Sequence, residues 1–337
     1  MSLNAIWFVL VAVLFVGYFV LEGFDYGVGI LLPFVGHTDQ ERRAVLATIG
    51  PVWDANEVWL ITAAGAIFAA FPNWYATLFS GFYLPLALLL GALIVRGVAF
   101  EFRSKDSHPQ WRGLWDGLVV LGSVVPPVIW GMTMGNMLHG LPINAAMNYV
   151  GTFWGLVNPF SIVGGLAALL LFVLHGALYL TLKTEDTLQE RARRLAFRVG
   201  GTATLFYFGF VVLAYFYTPF PTRLGIDPGV VPVLAVLSMI GVRFLLRRHS
   251  YGWAFIVNGA VIVLSVITVF STLYPDLLLS SLNPAWSLTI FNAASNPYSL
   301  KVMTILAVTA LPFVLVYQAW TYWIFRKRVT LKQTLHY

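Results

Sequence analysis

Apolar residues run through this chain in long blocks, and polar positions gather between the blocks more than within them. A helix needs about 20 mostly apolar residues to cross the hydrocarbon of a bilayer. Nine blocks meet that length, at approximately 5–34, 52–71, 75–100, 114–138, 159–182, 196–218, 229–246, 252–274 and 299–325. The seventh is the shortest. The connections are short, and no soluble domain fits between blocks. The pattern predicts an all-α, polytopic membrane protein folded as one integral domain over 1–337. Gly50-Pro51 and Asn158-Pro159 read as helix starts, because proline is tolerated in a first helical turn. Pro126 and Pro127 fall inside the fourth block, where the loss of two backbone donors is expected to kink or loosen the helix.

Composition agrees with a lipid environment. Hydrophobic residues make up 59% of the 337 and charged residues only 10%, against roughly 25% in soluble domains. Mean hydropathy is +0.80. The absence of cysteine excludes disulfides, thiolate metal sites and cysteine nucleophiles. Met1 to Ala5 carry no basic residue, so the first block reads as a retained span and not as a cleaved leader. Aromatic residues are 16% of the chain. Trp74, Tyr75, Trp253, Trp320, Tyr322 and Trp323 fall at block ends, as an interfacial belt would.

The net charge of +6 reports topology and not a nucleic-acid partner. Arg42, Arg43, Arg103, Lys105, Arg112, Lys183, Arg191, Arg193, Arg194, Arg198, Arg243, Arg247, Arg248, Arg326, Lys327, Arg328 and Lys332 all follow odd-numbered blocks. Even-numbered blocks are followed by Arg223, with Lys301 just inside the ninth. Basic residues accumulate on the cytoplasmic side. The asymmetry therefore predicts an N-terminus outside and a C-terminus in the cytoplasm.

Ionisable groups inside a bilayer are costly and usually face a partner, a cavity or a pathway. Here they concentrate in the first four blocks, at the end predicted to be cytoplasmic. Glu22 and Asp25 lie in the first block, Asp54 and Glu57 at the start of the second, Arg96 and Glu101 at the end of the third, and Asp116 at the start of the fourth. Glu22 and Asp25 are three residues apart, as are Asp54 and Glu57, so each pair shares a helix face. Such a cluster suits proton uptake. It also has plainer readings. Acids in a first turn are stabilised by the helix dipole with no transport role. Arg96 paired with Glu101 or Asp25 is a purely structural arrangement, and Asn56 is an ordinary interhelical hydrogen-bonding residue. His175 alone among the six histidines lies well inside a block. It reads as an interhelical hydrogen-bond partner more readily than as a haem ligand, since no second histidine stands at helical spacing beside it.

These residues carry a family resemblance. Glu22-Gly23-Phe24-Asp25-Tyr26-Gly27-Val28-Gly29, the run from Trp53 through Asp54, Asn56, Glu57 and Trp59 to Thr62, and Phe79-Ser80-Gly81-Phe82-Tyr83 come first. Phe102-Arg103-Ser104-Lys105, Gly122-Ser123-Val124-Val125-Pro126-Pro127, Asn158-Pro159-Phe160 and Ala319-Trp320-Thr321-Tyr322-Trp323 follow in order. The chain resembles subunit II of the cytochrome bd-type quinol oxidase family over essentially its whole length. The resemblance implies two four-helix bundles, here about 5–138 and 159–274, with a peripheral ninth helix at about 299–325. It implies a pseudo-symmetric partner, subunit I, that carries haems b558, b595 and d and oxidises quinol. It implies a bacterial cytoplasmic membrane, and it is compatible with a small single-span third subunit, bound lipid and bound quinone. It places Asp54 on a cytoplasmic proton path and Trp59 near a hydrophobic oxygen route. The connection between the sixth and seventh blocks is short here, whereas some members carry a longer insertion.

The sequence therefore reads as the second core subunit of a quinol:oxygen oxidoreductase, without catalysis or cofactor ligation by this chain alone. Asp54, Asp25, Glu57, Glu101 and Glu22 are the proton-path candidates, in that order. Two other readings fit the same acids: a proton-coupled transporter, and a structural or assembly subunit whose acids are inert.

Overall fold

The structure, a computed structural model of the chain, describes residues 2–219 and 230–331. Arg223, Lys332 and His336 lie outside the described residues. Helices are α1 (Leu3–Val35), α2 (Asp39–Ile49), α3 (Trp53–Ala70), α4 (Pro72–Gly81), α5 (Tyr83–Phe102) and α6 (Pro109–His139). After a long connecting segment come α7 (Pro159–Lys183), α8 (Asp186–Tyr217), α9 (Val230–Arg247), α10 (Tyr251–Leu273) and α11 (Pro297–Ile324).

A helix stands at each of the nine expected places, and eight of the helices are long and apolar enough to cross a membrane. The helix at the second place, α3, is missing from those eight. Asp54, Asn56 and Glu57 crowd its first turns and lower its hydropathy. The third block is divided, with α4 ending at Gly81 and α5 starting at Tyr83. The fourth block differs from expectation in the other direction. α6 continues as one helix through Pro126 and Pro127. The residues four positions earlier, whose carbonyls meet the proline rings, are Gly122 and Ser123, small enough to leave room.

The sequence pattern did not announce α2. It is only 11 residues long, too short for a span. Its start is fixed by a capping box in which Thr38 accepts from the Glu41 backbone N–H while Glu41 accepts from the Thr38 backbone N–H. Glu41 also pairs with Arg191 of α8 at 2.9 Å, tying the helix to the second half of the chain. Burial raises the Glu41 carboxyl, but the Arg191 hydrogen bond and the Thr38 and His37 backbone N–H groups outweigh it and hold the group below the ordinary carboxylate range. A carboxyl lowered on folding stabilises above its unfolded value of about 4.3. That stabilisation is lost as pH falls through the lower folded value. Glu41→Gln is therefore expected to lower stability by about 1–2 kcal/mol at neutral pH. The difference from the parent should shrink in thermal melts as pH falls through the lowered folded value.

α1 occupies the middle, packing on α3, α6, α7 and α10. α5 packs on α6, α7 on α8, and α9 on α8 and α10. The two sides meet at glycines. A β-carbon on Gly27 would lie 2.1 Å from the Phe172 carbonyl oxygen, and one on Gly176 would lie 2.4 Å from the Gly27 backbone. Small residues allow such backbone approach inside membranes. α11 lies outside against α1 and α3, with only 6% of its most apolar stretch buried. Trp253, Trp320 and Trp323 are more than half exposed, as belt residues should be, whereas Trp74 is 1% exposed and belongs to the core.

The segments after α6 and α10 close one end of the molecule. A short antiparallel pair, β1 (Asp276–Leu278) and β2 (Leu288–Thr289), is bridged to the segment after α6 through Leu141 and Ser280. The Ser280 hydroxyl donates to the Ile143 carbonyl at 2.7 Å.

Candidate proton-handling site

α1 brings Glu22 and Asp25 into the interior of the helix bundle, both fully buried. α5 supplies Arg96, also fully buried. The Arg96 Nη1 donates to Glu22 Oε1 at 2.5 Å and to Glu57 Oε1 of α3 at 2.7 Å. One guanidinium nitrogen therefore ties three helices together. The Arg96 guanidinium also sits 4.9 Å from the Tyr26 ring centre and 5.2 Å from that of Phe100, which stabilises a cation in a dry place. Neither structural pairing expected for Arg96 occurs. Its partners are Glu22 and Glu57, not Glu101 or Asp25.

Asp25 is held differently. Its Oδ2 accepts from Asn56 Nδ2 at 2.6 Å. The Asn56 Oδ1 in turn accepts from Gln318 Nε2 at 3.1 Å and from the Tyr322 hydroxyl at 2.8 Å. Trp59 Nε1 donates to Gln318 Oε1 at 2.9 Å, and its ring lies against Gly17, where any β-carbon would collide with it. Asn56 is thus the interhelical hydrogen-bonding residue expected of it, and it links α1, α3 and α11. Beside the cluster the Tyr18 and Tyr26 hydroxyls meet at 2.5 Å. Four polar atoms here have no protein partner: Glu22 Oε2, Asp25 Oδ1, and Arg96 Nε and Nη2.

Glu57 connects this interior to the outside. Its side chain is 18% exposed. It lines a groove of about 770 Å³ between α3 and α5, together with Asp54. The groove is otherwise apolar, with Leu60, Ile61, Leu86 and Leu90 among its walls. Asp54 is exposed, one helical turn from Glu57. It does not cap α3, because the N-cap position is Val52 and no side chain caps that helix. Among the described residues Asp54 has no hydrogen-bond or ion-pair partner, and neither has Glu101. Glu101 is exposed on the last turn of α5, and the structure does not bring it to the cluster.

A second ionic network lies at the same end of the molecule. Asp116 pairs with Arg103 at 2.5 Å and Arg42 at 2.8 Å, while Asp39 pairs with Arg103 at 2.9 Å and Arg112 at 2.6 Å. Two carboxylates here face three arginines, and the network fastens α2 to the end of α5 and to α6.

His175 is fully buried. Its Nε2 lies 3.1 Å from the Val20 carbonyl, and its ring stacks on Phe255 at 4.4 Å. That is the interhelical hydrogen bond expected from the sequence, and it leaves Nδ1 buried without a protein partner. Among the described residues no three histidine, aspartate or glutamate side chains gather as a metal site would require.

Sequence reasoning found the acids but missed Gln318 and read Tyr322 as a belt residue; the two reach Asn56 from 262 and 266 positions away. Their only signal was polarity in an otherwise apolar ninth block. The Tyr18–Tyr26 contact had no signal beyond its spacing of two helical turns.

A multi-pass helical membrane protein with a buried arginine–carboxylate cluster near one end is the class that fold and site define. The model of the family described as cytochrome bd terminal oxidase subunit II matches residues 3–325, and the chain belongs to that family. Over 336 residues it is 47% identical to the cytochrome bd ubiquinol oxidase subunit 2 of Bacillus subtilis, covering 100% of this chain and 99% of that protein. It is 36% identical over 369 aligned positions to the cytochrome bd-I ubiquinol oxidase subunit 2 of Escherichia coli, covering 97% and 95%. Among solved structures, a chain of the bd oxidase from Geobacillus thermodenitrificans superimposes with a TM-score of 0.77. Its identity is 20%, and the match covers 97% of this chain and 100% of that one. The chain is thus a subunit of a respiratory bd-type oxidase, an oxygen-reducing oxidoreductase complex, and a multi-pass protein of a bacterial membrane.

Proposed function

We propose that this chain stabilises a haem-bearing subunit I and contributes a cytoplasmic proton-uptake route for the reduction of oxygen to water. The observation that carries this reading is the continuity from exposed Asp54, through Glu57 on the groove wall, to Arg96 and Glu22 inside. Fully ionised, Glu22, Asp25 and Glu57 would set three negative charges against the one positive charge of Arg96. A site so composed can take up and release protons while keeping one permanent cation. Arg96 stays protonated throughout and orients Glu22 and Glu57 toward one nitrogen. The partnerless oxygens of Glu22 and Asp25 can hydrogen-bond to water, which would carry a proton over the gaps between carboxyls. Asn56, held by Gln318 and Tyr322, fixes Asp25. Trp59 lines up with this assembly through Gln318, and we place any oxygen route along the apolar face it shares with α1. Glu101 is retained at most as a surface acid that concentrates protons near the entry.

In this reading the partner supplies haems b558, b595 and d and the site where quinol is oxidised. The complex purified through a tag on this chain should show haem bands in its redox spectrum and oxidise quinol with oxygen. His175→Ala should leave every haem band in the assembled complex, because His175 serves a helix contact. Loss of one band without loss of the partner would assign a haem to this chain. A transporter would purify without such a spectrum.

The orientation follows from the basic residues. Arg191–Arg194 and the tail after α11 face the cytoplasm, and Ala145–Tyr149 and Ser280–Asn283 face outside. The native chain has no cysteine, so single cysteines report cleanly. In intact cells an impermeant thiol reagent should label a cysteine at Ala146 or Leu282 and should spare one at Lys327. Labelling at Lys327 would overturn the orientation.

A further inference from the structure

Four arginines at the inner ends of α8 and α9 have no acidic partner. Six other arginines of this end are matched by acids: Arg42, Arg103, Arg112 and Arg191 by Asp39, Glu41 and Asp116, and Arg193 and Arg194 by Glu190. Among the described residues Arg198, Arg243, Arg247 and Arg248 form no ion pair, and all four are exposed.

Three of them are nevertheless held in place. The Arg243 guanidinium lies 4.4 Å from the centre of the Phe197 ring, and that of Arg247 lies 5.7 Å from the same ring. Arg248 lies 4.7 Å from the Phe244 ring. Arg243 also fills the space over Gly201, where a β-carbon would come within 2.7 Å of its Nη1. Two guanidiniums fixed on one ring, with Arg198 next to that ring in sequence, repel one another unless an anion lies between them. Planar guanidiniums present paired N–H donors that match phosphate oxygens.

The surface leading away from these arginines is apolar. Leu205 of α8 and Leu237, Ile240 and Phe244 of α9 are each more than half exposed. Gly241 has open space where a side chain would be. Ile240, Phe244, Arg247 and Arg248 follow helical spacing, so the apolar stripe and the cations share one face of α9. A cluster of cations at the end of an apolar stripe suits a phospholipid with a negatively charged headgroup.

We infer that the inner ends of α8 and α9 form a binding site for an anionic phospholipid, its phosphate held by Arg243 and Arg247 across Phe197 and its acyl chains lying along α9. Basic pockets between membrane helices bind such headgroups. The site does not depend on the proton-uptake reading.

The test uses the detergent-solubilised oxidase complex containing this chain, titrated with phosphatidylglycerol or with phosphatidylcholine of the same acyl chains and followed by native mass spectrometry. The parent should favour phosphatidylglycerol on the order of ten-fold, as two or more arginine contacts imply. Arg243→Gln/Arg247→Gln should bring that preference close to one. Phe197→Leu keeps every charge but removes the platform, and should weaken the preference as well. Lys105→Gln removes a cation from another inner segment and should leave it unchanged. No preference in the parent would overturn the site. So would an equal loss in Lys105→Gln, which would show only a general attraction of surface charge. Displacement of the lipid by millimolar inorganic phosphate would reduce the site to a free-anion site and overturn the lipid assignment. Should the double variant fail to accumulate, Phe197→Leu and Arg198→Gln decide the matter alone.

Discussion

Arg96→Met should prevent the complex from accumulating, or leave it with a stability loss of about 3–5 kcal/mol. Methionine fills most of the volume, so the effect isolates the charge. Removing the guanidinium leaves Glu22 with no exposed surface and no counter-charge, and strips Glu57 of its one ion-pair partner. It also removes the one group that joins α1, α3 and α5 by hydrogen bonds to a single atom. α3 buries only Asn56, Ala63, Ile67 and Ala70 of its own, and its other polar ties, through Asn56 and Trp59, run to α1 and α11 and not to α5. A partner substitution separates lost charge balance from lost packing. Arg96→Met with Glu22→Gln removes one buried cation and one buried anion together, and should recover part of the loss. The measurement is the amount of assembled complex in membranes, with thermal melting of whatever is purified. Accumulation and melting like the parent would show that the cluster does not support the fold.

What the sequence revealed and what it hid divide along a physical line. Spans were legible because hydrocarbon thickness imposes a length on every helix that crosses it, and the nine places marked from hydropathy all hold helices. The acids were legible because charge inside an apolar run is conspicuous. Pairing was not. Arg96 stands five residues from Glu101 in the chain, yet it turns to Glu22 and Glu57, which are 74 and 39 positions away. Helix spacing says which residues share a face, and says nothing about which face meets which helix. α2 stayed hidden because an 11-residue amphipathic helix lies below the length that marks a span. Its capping box, Thr38 with Glu41, was the available signal. Trp74 looked like a belt residue by position, yet it is 1% exposed, and position in a block does not tell a buried tryptophan from an interfacial one.

The proton route makes the second large prediction. Asp54→Asn should assemble with normal haem content and lose most oxygen reduction. Three features of the structure narrow the meaning of that variant. Asp54 is exposed and partnerless, so asparagine disturbs no contact. It is not the N-cap of α3, so the remaining structural effect is the helix-dipole contribution, about 0.3–1 kcal/mol. It shares the groove wall with Glu57, the one member of the Arg96 cluster that reaches that groove. Asparagine keeps the shape and cannot exchange a proton. Glutamate still titrates, and Asp54→Glu should retain part of the turnover. Glu57→Gln should also impair turnover, with a stability loss that Asp54→Asn does not share, because it breaks a pair with Arg96.

The most direct test is quinol-driven oxygen consumption per haem d in Asp54→Asn, with the haem spectrum as the assembly control. A proton entry at Asp54 predicts a loss on the order of ten-fold or more, because asparagine cannot pass a proton on. Turnover close to that of the parent, with intact haem, would contradict it and leave Asp54 a surface residue of a structural subunit.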